Sequence, residues 1–120
     1  MAELLILEFS APSAVDIYQR VNDLLGVDPA AGTGDWPAGL IDHHAGGEGE
    51  TLVVVESWES REAQDEFMRT RLGPAFGQAQ APEPTRVTWL PEVGRLAPGA
   101  SAQLPQPREA AAQSREQASL

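Results

Sequence analysis

Glu3-Leu4-Leu5-Ile6-Leu7-Glu8-Phe9 and Thr51-Leu52-Val53-Val54-Val55-Glu56-Ser57-Trp58 decide the fold. Each is an apolar run of strand length, and each is apolar at both odd and even positions, so both faces of the predicted strand must be covered. In the first run Leu5, Leu7 and Phe9 share one face, and Leu4 and Ile6 the other; in the second, Val53 and Val55 stand against Leu52 and Val54. Outward from the first run, Ser10, Pro12 and Ser13 mark a helix start. Ala14, Ile17, Tyr18, Val21, Leu24 and Leu25 then recur at helical spacing, with Ser13 as the expected cap and Gly26 as the stop. Asp28 to Ala38 reads as a loop whose Trp36 tucks onto the domain. Its Gly32-Thr33-Gly34 is not taken for a phosphate cradle, because no strand is expected before it and no helix after it.

Gly39 to Ala45 is a further strand, joined to the Thr51 run by Gly46 to Glu50 as a hairpin connection. Beyond it, Ser60 caps a helix over Arg61 to Leu72 that Gly73-Pro74 is expected to break before a short extension containing Phe76. Thr85 to Leu90 forms a last strand, ended by Pro91. The order βαββαβ predicts an α+β, ferredoxin-like domain over residues 1–92, a four-stranded antiparallel sheet with both helices on one face. Residues 93–120 lack aromatic side chains, carry Pro98, Pro105 and Pro107, and read as a disordered tail.

With both helices on one face, the other face needs a cover. Burying Leu4, Ile6, Leu52 and Val54 there is worth about 1.5 to 3 kcal/mol each before ordering costs. A homodimer closing two sheets into a dimeric α/β barrel is therefore expected, with a partner protein as the other occupant. The formal charge is −10, which disfavours nucleic acid and anionic membrane as partners. Without cysteine there is no disulfide, thiolate nucleophile or Cys-type zinc site. The N-terminus has no basic leader and no apolar run long enough for a bilayer, so a cytoplasmic location is expected.

Val55-Glu56-Ser57-Trp58-Glu59-Ser60-Arg61-Glu62-Ala63, together with Leu72-Gly73-Pro74, resembles the strand-to-helix junction of the dimeric α/β barrel superfamily, in particular proteins of the antibiotic biosynthesis monooxygenase type. The resemblance covers about residues 3 to 92. It implies a cleft between sheet and helices for an apolar aromatic or polyketide-like small molecule, handled without a bound cofactor. Members include cofactor-independent monooxygenases, polyketide cyclases, isomerases, haem-degrading enzymes and proteins without known activity. The haem-degrading pattern of an asparagine on the first strand and a tryptophan and histidine on the second helix is missing; Glu8 or Phe9, Met68 and Gln78 stand in those regions. For the monooxygenase pattern of Asn, Trp and Tyr or Arg, only Asn22 could supply the amide, and Tyr18 is the sole tyrosine, so roles do not transfer residue by residue.

His43 and His44 are the only histidines, and neighbours on a strand point to opposite faces. The resembling frame Gly-x-x-x-His-x-Ala, here Gly39, His43 and Ala45, favours His43 as a general base or hydrogen-bond donor. Glu56 shares a face with Leu52, Val54 and Trp58, where a carboxylate must be paired or used; Glu8 is read as its counterpart on the first strand. The competing readings are a structurally bonded histidine and carboxylates paired with Arg61 or Arg86. Trp36, Trp58, Tyr18 and Phe67 are the expected ligand-binding side chains, with Trp58, Trp36 and Trp89 either a stacking platform or core plugs. No metal site is expected, because Asp42, His43 and His44 cannot converge from one strand. The function so predicted is a small-molecule enzyme or binding protein of the monooxygenase type. A polyketide cyclase or isomerase of the same fold, or a non-catalytic dimeric scaffold, is the alternative. A catalyst should hold a cleft of roughly 300 Å³ or more.

Overall fold

A computed structural model describes residues 2–96. Four strands, β1 (Glu3–Ser10), β4 (Leu40–Glu48), β5 (Thr51–Trp58) and β6 (Arg86–Pro91), form one antiparallel sheet in the order β4-β5-β1-β6. The two doubly apolar runs are thus the central strands, as the residue pattern requires. α1 (Ala14–Leu25) and a second helical rod, α2 (Arg61–Phe67) continuing into α3 (Gly73–Ala79), pack on one face. This is the ferredoxin-like α+β arrangement.

Register decides which apolar set each face receives. β1 pairs with β5 as Leu5↔Glu56, Leu7↔Val54 and Phe9↔Leu52, so the odd positions of β1 join the even positions of β5. Leu5, Leu7, Phe9, Leu52, Val54 and Trp58 make the core under the helices. The open face carries Leu4, Ile6, Val53 and Val55, which corrects the expectation that Leu52 and Val54 lie there. Glu8 also belongs to the open face, opposite Val53 and 3.8 Å from Arg86, and is not a counterpart of Glu56.

Four local expectations are corrected as well. Ser13 takes a left-handed conformation (φ 58°) and its side chain caps nothing, whereas Gly26 stops α1 as expected. The loop after α1 holds a minute hairpin, β2 (Val27–Asp28) against β3 (Thr33–Gly34). At Gly34 (φ 111°) a Cβ would lie 2.4 Å from the Gly26 carbonyl oxygen, so that glycine closes a tight hairpin. β4 runs on through Gly46 and Gly47 to Glu48, leaving only Gly49 and Glu50 as the turn. Gly73-Pro74 does not break the second helix. A π-helical turn over Met68–Leu72 widens the backbone, the Gly73 N–H bonds to the Met68 carbonyl, and the proline ring enters at the first turn of α3. Ser60 caps α2 as expected, its hydroxyl accepting from the Ala63 N–H at 3.1 Å.

No described helix is long and apolar enough to cross a membrane. The expected tail over 93–120 lies, from residue 97 on, outside the described residues.

Candidate functional site

The space between sheet and helices is walled by apolar side chains from β1, α1, β5 and the second helical rod, among them Leu7, Phe9, Val54, Phe67 and Phe76. Among the lining residues only Tyr18, Asn22, Trp36, His43 and Glu56 bring side-chain polar atoms, and no arginine or lysine lines it. Its room is about 70 Å³, well under the volume expected of a catalyst, although enough for a few waters. Trp36 takes part of the space, its ring 5.1 Å from that of His43. Two devices hold the tryptophan: its Nε1–H donates to the Thr33 carbonyl at 2.9 Å, and Arg71 ties the loop to the helix. The Arg71 guanidinium donates to the carbonyls of Leu25 (3.0 Å) and Asp35 (2.6 Å) and lies over the Phe67 ring.

One polar chain crosses this apolar space. Glu56 Oε1 accepts from Trp58 Nε1–H at 2.9 Å, and Glu56 Oε2 lies 2.8 Å from His43 Nδ1. On the far side of the ring, His43 Nε2 lies 2.7 Å from the Tyr18 hydroxyl. The His43 and Glu56 side chains are each only 11% exposed. β-Pairing sets this up, because His43 stands opposite Glu56 on neighbouring strands while His44 points to the open face and is 74% exposed. When the imidazole is neutral, a carboxylate at Nδ1 holds its proton on that nitrogen. Nε2 then presents a lone pair to which Tyr18 O–H donates. Burial raises the Tyr18 phenol above its ordinary pKa, the Asn22 amide pulls it down, and the Glu56 charge pushes it up again.

Asn22, one turn beyond Tyr18, is 7% exposed, and its amide acts on the Tyr18 phenol without a hydrogen bond of full geometry at Nδ2. It is the one amide the monooxygenase pattern could draw on, and its position four after Tyr18 on the apolar stripe of α1 places it on the wall. Of the other expected ligand-binding side chains, Trp36, Tyr18 and Phe67 line the space. Trp58 lies behind the wall, 0% exposed and 5.8 Å from Phe67. Trp89 sits under Arg61 instead, so the three tryptophans form no common platform. Among the described residues no three His, Asp or Glu side chains are grouped to hold a metal.

No family model matches the sequence. No curated protein matches it. Solved structures match the fold. A Chloroflexus aurantiacus protein provisionally classed as an antibiotic biosynthesis monooxygenase is 11% identical, with 81% of this chain and 98% of that one covered at a TM-score of 0.57. A mutant of SnoaB, a cofactor-independent oxygenase from Streptomyces nogalater, is 13% identical over 79% and 96% at 0.53. A monooxygenase from Streptomyces coelicolor, solved with nanaomycin D, is 15% identical over 81% and 92% at 0.53. At these identities the likeness is one of fold: the chain is built like antibiotic biosynthesis monooxygenases.

Proposed function

We propose that the chain is a small-molecule enzyme of the cofactor-independent monooxygenase type, with His43 as general base toward a phenolic or enolisable aromatic compound. The observation that carries the reading is the Glu56–His43–Tyr18 chain opening into an apolar cleft. A ligand hydroxyl that donates to the Tyr18 oxygen can lose its proton there as Tyr18 passes its own to His43 Nε2. Glu56 then stabilises the imidazolium. The resulting carbanion adds dioxygen, and the peroxide so formed collapses to a carbonyl with loss of water. The fold shared with oxygenases from two Streptomyces species supports this chemistry.

The test is dioxygen uptake with a panel of polycyclic phenols. Uptake by the native chain that disappears in His43→Phe is the expected result; none across the panel, or equal uptake by the variant, overturns it. The same base in a polyketide cyclase or isomerase would return the proton to another atom, and turnover would then persist without oxygen. The small cavity favours one other reading, a non-catalytic dimeric scaffold, for which no aromatic compound binds at all. In either case the working form is proposed to be a cytoplasmic homodimer, with a second copy covering Leu4, Ile6, Val53 and Val55.

A further inference from the structure

Residues 27–38, between α1 and β4, are braced within themselves and pinned at their ends. Val27–Asp28 pairs with Thr33–Gly34, Asp28 Oδ1 accepts from the Ala30 and Ala31 N–H groups at 3.1 and 3.2 Å, and Trp36 Nε1–H donates to the Thr33 carbonyl. Gly26 (φ 76°) and Gly39 (φ 88°) stand at the two ends in left-handed backbone. Both are held by the body of the domain. The Gly26 N–H donates to the Asp23 carbonyl at 3.2 Å, and the Gly39 carbonyl accepts from the Glu59 N–H at 2.8 Å. Between those ends Ala30 to Asp35 are exposed, so little apolar contact holds the hairpin down. A unit that is stiff inside, anchored at two glycines and thinly packed is built to swing as one piece.

Two side chains hold it shut. Among the described residues, every hydrogen bond from this segment to the second helical rod goes to Arg71, which the π-helical turn carries. Arg71 Nη2 donates to the Asp35 carbonyl at 2.6 Å and to the Leu25 carbonyl, just before the first pivot, at 3.0 Å, and so clasps both sides of the hairpin's base. The Trp36 ring enters the cleft and lies tilted by 50° against His43, so the indole and a guest beside His43 exclude one another. We infer that residues 27–38 are a hinged lid over the cleft, with Trp36 as its plug and Arg71 as its latch, and that a room of about 70 Å³ is that of the shut state. Trp36 has to leave before anything larger than a few waters enters. The lid stands on the loop's own contacts, whereas its use as an entrance rests on the cleft being a small-molecule site.

Hydrogen exchange of the full chain, read by mass spectrometry, tests the latch with no ligand present. In Arg71→Met, which keeps an unbranched apolar stem beside Phe67, peptides within residues 27–38 should exchange at least about fivefold faster than in the native chain, while those of β1 and β5 keep their native rates. Equal exchange of the segment in the two chains, or an acceleration that spreads to β1 and β5, overturns the latch. Stopped-flow association of naphthol, followed by its own fluorescence, tests the plug. Observed rates should level off with rising naphthol in the native chain, where opening is limiting, and climb linearly in Trp36→Ala. Linear rates in both chains overturn the lid as an entrance and leave the wider functional reading standing. If exchange responds as expected and naphthol binds neither chain, the lid stands and the small-molecule reading of the cleft falls.

Discussion

Glu56 anchors the chain from Trp58 to Tyr18, accepting from the indole N–H on one oxygen and facing His43 Nδ1 with the other. In Glu56→Gln, Oε1 can still accept from Trp58, but an amide N–H now faces His43 Nδ1 and drives the imidazole proton to Nε2. The base is then blocked at the atom that faces Tyr18. If the chain carries out the proposed oxygenation, its rate should fall by about 100-fold or more with the fold retained, measured as initial rate beside circular dichroism. Tyr18 gives a stability prediction of definite sign. Its native phenol holds the proton more tightly than an unfolded one, so its contribution is complete below the unfolded pKa and is lost as pH rises through the native value. Denaturant melts from about pH 8 to about pH 11 should therefore decline less steeply for Tyr18→Phe than for the native chain. His43 was legible in the sequence because strand alternation admits one histidine of an adjacent pair to a given face. Its bond to Tyr18 was not, since 25 residues separate them and only packing of α1 on the sheet brings them together.

The second helical rod shows how an element can continue where its residues predict a stop. Proline cannot donate and crowds the preceding turn, which is why Gly73-Pro74 reads as a break. The π turn absorbs one extra residue and lets the rod carry Phe76 to the cavity wall, where it packs edge-on against Phe9 at 6.2 Å. A Cβ at Gly73 would lie 2.8 Å from the Met68 carbonyl oxygen, whereas one at Gly77 meets nothing within 4 Å. Gly73→Ala should therefore cost about 1 to 3 kcal/mol, and Gly77→Ala should stabilise by about 0.5 to 1 kcal/mol. Urea midpoints of the two variants check the contrast; equal effects would mean the π turn is not maintained in solution. The cap at Ser60 was readable because its partner, Ala63, is three residues away; Ser13 has the same local pattern but is displaced by the left-handed entry into α1.

At the scale of the whole molecule, the described residues cover the sheet on one side only. Leu4, Ile6, Val53 and Val55 form the centre of the other face, with Leu90 47% exposed beside Leu4 on the edge strand. If a second copy covers it, Ile6→Lys places a charge opposite Val55 in the interface and should convert the dimer to a folded monomer. Sedimentation velocity at micromolar concentration reads this directly, and a native chain that already sediments as a monomer would remove the dimer from the proposal. Alternation, helical spacing and turn residues, all local properties, determined the order of the four main strands and the helices, the two central strands and the presence of a second apolar sheet face. Which apolar set lies on that face, and which polar groups meet in the cleft, waited on the tertiary structure. A one-residue change of register exchanges the two faces of a strand, and nothing within either strand alone distinguishes the alternatives.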